Sequence, residues 1–284
     1  MLGHRLLLQL VRRRYEVSGT CRTIKETIPD SFLPRKSLIE GVDANDFSSV
    51  SRCIAETDPD AVINCIGIIK QSSLAKSHVP SILINSLFPH QLADLCVEHG
   101  IRVLHFSTDC VFSGKKGGYG PYDAHDAKDL YGRTKSLGEL DENEGVTIRS
   151  SIIGRELDSS HGLMEWLVSN RGKTVRGFSS AIFSGFTTHE MANIVEIVLN
   201  RPDLKGIQQV ASTPISKFDL ITMISRSLQL NVTVEPYSDF RCDRSLNGSE
   251  FELETGYRPP SWEPMIRAMA KDWYAYDELR RRFE

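Results

Sequence analysis

The sequence predicts an α/β protein: a doubly wound parallel sheet with a smaller C-terminal lobe. Three observations predict it. Segments of strand character alternate with segments of helical period through most of the length. The strand segments are apolar on both faces, as strands of a parallel sheet covered by helices on either side must be. After about residue 155 the alternation loosens into short segments punctuated by Pro214, Pro236 and the Pro259–Pro260 pair, as expected of a lobe assembled from the second half.

The elements follow in order. A helical period over Leu2–Arg13 leads to a strand at Tyr15–Cys21, and a helix at Phe47–Glu56 leads to a strand at Asp60–Gly67. A long helix at Pro80–His99 precedes the strand Ile101–Thr108, and a helix at Leu130–Glu142 precedes the strand Val146–Ile153. Gly206–Ala211 is the clearest later strand. Gly100 and Gly145 sit where helices should stop. This succession gives a Rossmann-like dinucleotide-binding domain over residues 1–154, to which segments near 187–211 return, and a mainly substrate-binding lobe over 155–284.

Composition narrows the function classes. A net charge of −3 argues against nonspecific nucleic-acid binding, and the runs Arg12–Arg14 and Arg280–Arg282 suit solvated helix ends. No apolar run approaches the ~20 residues of a membrane span, so a soluble protein without a membrane partner is expected. The six cysteines form no CxxC pair and do not cluster with histidine, which suits reduced thiols in a cytoplasmic protein without a metal site. Leu6-Leu7-Leu8 is too short and interrupted for a signal peptide.

A doubly wound nucleotide fold normally begins with a buried strand and a glycine-rich turn, whereas Met1-Leu2-Gly3-His4 opens directly on a helical pattern. Gly3 reads either as the last glycine of such a turn, its strand and earlier glycines lying upstream of Met1, or as an ordinary terminal glycine.

Four features then arrive in order: Asn64-Cys65-Ile66-Gly67 closing one strand, Asn85 in the next helix, Ser107-Thr108-Asp109-Cys110-Val111-Phe112 closing the next strand, and Tyr131-Gly132-Arg133-Thr134-Lys135 opening the helix after it. In this order the chain resembles the extended short-chain dehydrogenase/reductase family. Within it, the Ser-Thr-Asp-x-Val-Phe-x-Gly run and Tyr-Gly-x-Thr-Lys-x-x-Gly-Glu are most similar to dTDP-4-dehydrorhamnose reductases and related sugar-nucleotide reductases.

The resemblance implies a nucleotide-sugar substrate and reduction of a 4-keto-6-deoxy sugar, with hydride passing from the nicotinamide and Tyr131 protonating the ketone oxygen. Thr108 would hydrogen-bond that oxygen, and Lys135 would hold the nicotinamide ribose. Tyr131 and Lys135, at i and i+4, share a helix face, so an ammonium beside the phenol would favour the phenolate. Asn85 matches a helix asparagine that serves a proton relay in relatives, but equally suits a structural amide, and Thr108 also suits a capping hydroxyl. Relatives imply cofactor contacts at Cys65, Ile66 and Gly67 and an acidic position near the adenine at Asp43.

Arg22 ends the second strand of the expected fold, where a basic residue suits a 2′-phosphate, so NADPH is expected over NADH. Dehydratases of this family carry Asp-Glu after the threonine; here it is Asp109-Cys110, which argues against dehydration. A nucleotide-binding regulatory subunit of the same fold and an epimerase or dehydratase stay open as alternatives. Relatives are often dimers, so a homodimer is an open expectation.

Overall fold

The computed structural model describes residues 1–283. It opens with α1 (Leu2–Arg12), β1 (Gly19–Cys21), β2 (Leu38–Glu40), α2 (Phe47–Thr57) and β3 (Ala61–Asn64). Next come α3 (His78–Ile82), a π-helical turn (Leu83–Leu87), α4 (Phe88–Glu98), β4 (Arg102–Ser107), α5 (Leu130–Leu137), β5 (Val146–Arg149) and β6 (Ile152–Ile153). The second half holds α6 (Leu163–Ser169), β7 (Thr174–Phe178), β8 (Ala181–Phe183), β9 (Phe186–Thr187) and α7 (Thr188–Leu199). It continues with β10 (Gly206–Gln209), β11 (Ile215–Ser216), α8 (Lys217–Ser227), β12 (Thr233–Tyr237), β13 (Cys242–Asp243), α9 (Ser249–Thr255), α10 (Trp262–Ala270) and α11 (Trp273–Arg280).

The central sheet is parallel, in the order β3-β4-β5-β10. Successive side chains of a strand point to opposite faces. Val103 accordingly enters one apolar core with α2 and α4, while Leu104 enters the other with α1, α7 and the second half of the chain. Both faces are therefore covered by helices, and the fold is the doubly wound α/β class that the alternation predicts. Segment 206–209 pairs with β5, so the chain returns to the sheet after the excursion through β6–β9.

Several boundaries differ from the sequence reading, each for a physical reason. Only Gly19–Cys21 of the expected strand Tyr15–Cys21 is a strand, paired in parallel with β2, a three-residue segment too short to show a period. Among the described residues no strand bridges β1 to β3, so Tyr15–Ser18 have no ladder partner. The long helix contains a π turn because Pro89 has no N–H to offer the carbonyl of Asn85. The helix expected to reach Glu142 ends at Leu137, where Gly138 packs so closely that a Cβ would fall on the carbonyl oxygen of Asn85. Gly145, at φ +157°, leads into β5 instead of stopping a helix. The strand expected over Val146–Ile153 is broken at Ser150–Ser151, where the chain leaves β5 and lets β6 pair with β9.

Candidate active site

β3 and β4 are neighbours, and in an open parallel sheet ligands bind outside the carboxyl ends of the strands. Beyond the end of β4, Thr108 caps a short 3₁₀ turn: its Oγ1 accepts the Cys110 N–H at 3.1 Å and donates to Asp109 Oδ1 at 3.2 Å. The capping role and the site role thus fall on the same hydroxyl. α5 begins next to this turn, capped by the Asp129 carboxylate, which accepts from Gly132 N at 3.1 Å. Gly132 is required there, because a Cβ would fall on the carbonyl of Cys110.

This approach sets Tyr131 against the Thr108 turn. Burial raises the phenol well above its ordinary range, the neighbouring Cys110 adds to this, and the Thr108 hydroxyl opposes it. The group is therefore held protonated, the state a general acid needs. Burial is the largest influence on the phenol, and the Lys135 nitrogen contacts β4. Lys135 Nζ donates to the carbonyl of Phe106 at 2.6 Å and meets His105 Nε2 at 3.1 Å. Burial pulls Lys135 down to about 8, against the Glu139 carboxylate.

Asn85 is 1% exposed, and its amide is used as a clamp. Oδ1 accepts the Ile68 N–H at 2.8 Å, while Nδ2 donates to the Ile68 carbonyl at 3.0 Å and to Thr134 Oγ1 at 3.3 Å. It ties the segment after β3 to α5. Gly67 lies against it, and Gly3, in the first turn of α1, lies against Cys65, where an added Cβ would stand 3.5 Å from Cys65 Cβ. Ile66 is held by its N–H to Asn64 Oδ1 at 3.0 Å, with its side chain exposed. Cys65, Ile66, Gly67 and Gly3 are thus brought to the end of β3. Arg22 is exposed just past β1, and Asp43 follows β2; Asn45, through its N–H and side-chain amide, holds Asp43 below the usual carboxylate range, with Arg22 contributing.

Other residues in the area escaped the sequence reading. His105 and Asn64 stand opposite each other in the β3–β4 register, and both are buried. Their signal was a polar residue inside the apolar run Val103-Leu104-His105-Phe106. Lys217, at the start of α8, holds its ammonium 3.7 Å from the Phe183 ring centroid and faces Asp109, Cys110 and Cys242; burial lowers it to about 8. Arg149 is only 2% exposed and is committed to Glu139, with Nε and Nη2 at 2.8 and 2.6 Å. All six cysteines are free. Among the described residues no group of three or more His, Cys, Asp and Glu is placed to hold a metal ion, and no helix is long and apolar enough to cross a membrane.

A family model described as RmlD substrate binding domain matches residues 1–154, which include Thr108, Asn85, Tyr131 and Lys135. The chain belongs to the RmlD substrate-binding-domain family. Among relatives of this RmlD-family chain, the spore coat polysaccharide biosynthesis protein SpsK of Bacillus subtilis is 27% identical over 262 residues, covering 87% of this chain and 90% of that protein. A hypothetical dTDP-4-dehydrorhamnose reductase from Sulfolobus tokodaii superposes with a TM-score of 0.73 at 23% identity, covering 92% of this chain and 95% of that one. The dTDP-4-dehydrorhamnose reductase of Bacillus anthracis in complex with NADP superposes with a TM-score of 0.70 at 20% identity, covering 84% and 92%. These two likenesses are of fold.

Proposed function

We propose that this RmlD-family chain reduces a 4-keto-6-deoxy sugar nucleotide with NADPH, Tyr131 acting as general acid. One observation carries the reading: the Thr108 and Tyr131 hydroxyls come together at the end of β4, with the phenol held protonated. Thr108 would hydrogen-bond the ketone oxygen as negative charge develops on it, and Tyr131 would deliver the proton. NADPH, when bound, supplies hydride to the ketone carbon.

The residues present fit that cofactor. Gly67 after β3 and Gly3 in the first turn of α1 present backbone without side chains, and Arg22, exposed just past β1, would supply a cation to a 2′-phosphate. Cys65 and Ile66 would line the dinucleotide, Asp43 its adenine end, and Tyr131 and Lys135 the nicotinamide ribose. Asn85 would hold the 66–68 segment in place. Residues 1–154, with 187–211, would form the dinucleotide-binding part, and most of 155–284 the sugar-nucleotide lobe. The polysaccharide role in SpsK's name and the NADP in the Bacillus anthracis structure support this assignment.

The test is oxidation of NADPH by the purified chain with dTDP-4-keto-6-deoxyglucose, beside Tyr131→Phe. The variant should lose roughly 10²–10⁴-fold in kcat while still binding NADPH. Undiminished turnover by the variant would overturn the reading.

A further inference from the structure

In the second half of the chain β8, β11 and β13 form a three-stranded sheet in the order β11-β8-β13. It is docked on the segment that follows Thr108: the Asp243 N–H donates to the Gly114 carbonyl at 2.8 Å, and Arg244 Nε donates to the Phe112 carbonyl at 2.8 Å. Lys217, the first residue of α8, is thereby turned toward Asp109 and Cys110 with its ammonium over the Phe183 ring. Two groups of opposite polarity are left unspent there. Among the described residues Lys217 Nζ makes neither a hydrogen bond nor an ion pair, and it stays in touch with solvent. Asp109 Oδ1 accepts the Thr108 hydroxyl at 3.2 Å, whereas Oδ2 takes no strong donor among the described residues; the Cys110 thiol beside the carboxylate is a weak one. Arg244, the other cation nearby, is committed to main-chain carbonyls. A carboxylate and an ammonium that face each other without pairing offer little to a net anion. They suit a hydroxyl, which donates to the first and accepts from the second.

We propose that Asp109 and Lys217 recognise the 3-hydroxyl of the sugar and so select substrates that carry it. The inference rests on the reduction reading and follows from the chemistry of the ring. With the C4 ketone oxygen at Thr108 and Tyr131, the adjoining ring carbons are C3, which bears a hydroxyl, and C5, which in a 6-deoxy sugar bears a methyl group and the ring oxygen. Turning the methyl group toward Asp109 and Lys217 would take water from two charged groups and return no hydrogen bond. Turning C3 toward them satisfies both groups with one hydroxyl, beside the Thr108 hydroxyl that already touches Asp109. The lobe thereby reads the sugar at the carbon next to the reacting one, and holds the ring in one orientation.

The test compares kcat/KM for dTDP-4-keto-6-deoxyglucose and for its 3-deoxy analogue, with NADPH, in the full chain and in Lys217→Met. The unsubstituted chain should prefer the hydroxylated sugar by roughly 10–100-fold, the range expected of a hydrogen bond to a charged group. In Lys217→Met that preference should shrink by about tenfold, because the hydroxylated substrate loses a partner that the analogue never had. Lys217→Gln, which keeps a donor, should retain part of the preference. Equal losses for the two substrates would place Lys217 in the frame or on the diphosphate and overturn the proposal, as would an unsubstituted chain indifferent to the 3-hydroxyl. NADPH oxidation by the unsubstituted chain tells the two failures apart: turnover without discrimination overturns this inference alone, whereas turnover of neither sugar overturns the reduction reading and this inference with it.

Discussion

Lys217 shows how a single residue's surroundings become a measurable pH dependence. Its ammonium sits over the Phe183 ring, where the quadrupole offers some compensation, but burial wins and the folded-state value falls to about 8 from 10.5. Between those values the unfolded chain binds more protons than the folded one, so the contribution of Lys217 to stability rises with pH. It is complete above the unfolded value and lost as pH falls through the folded one. Urea unfolding of Lys217→Met beside the unsubstituted chain should show the variant's relative advantage at pH 7.5 shrinking by pH 9.5. An unchanged difference would mean that the ammonium is well solvated. Tyr131 shows the complementary case: the same removal of water that disfavours a cation keeps a phenol protonated. Neither environment is legible in the chain's own spacing. The i, i+4 relation of Tyr131 and Lys135 placed them on one helix but was silent about His105, which reaches Lys135 from the neighbouring strand.

At the scale of elements, the position of α5 is set by glycines more than by its own apolar face. Gly132 lets its first turn touch the Cys110 carbonyl, and Gly138 lets its end touch Asn85 in the π turn. The sequence motif containing Tyr131 and Lys135 therefore encodes contact distances as well as chemistry. A methyl group at position 138 would have to displace backbone, not a flexible side chain. Gly138→Ala should destabilise the chain by about 1–3 kcal/mol, measured by denaturant unfolding, and lower NADPH turnover further than the stability loss explains. The existence and order of α1, α2, α5 and β3–β5 were readable, because period and turn residues are local properties. Their ends were less so: Leu137 ends α5 and Arg149 ends β5 because of what packs against Gly138 and what pairs with β6, partners distant in the chain.

For the whole molecule, Arg149 is the junction. From β5 it reaches Glu139 after α5, the carbonyl of Pro121, Gln209 on β10 and His125, joining the sheet to the loop that follows the Thr108 turn. An open surface depression of about 480 Å³ borders this junction, lined by Tyr122, His125, Ser136, Glu139 and Arg149 among others. Removing the guanidinium would strand a buried carboxylate on Glu139, so Arg149→Met should cost about 3–5 kcal/mol of unfolding free energy. A loss under about 1 kcal/mol would show that solvent reaches Glu139 readily. The α/β class, the strand–helix order and the residue types Thr108, Tyr131, Lys135, Asn85 and Gly67 were determined by the sequence itself, since hydrophobic period and motif order need no partner to be read. Tertiary structure alone decided that Arg149 serves the frame, that Asn85 ties the segment after β3 to α5, that His105 meets Lys135, and that Lys217 faces Asp109 and Cys110. Those outcomes depend on which groups meet after burial, where the loss of water and the obligation to satisfy every donor and acceptor override what each residue type would do by itself.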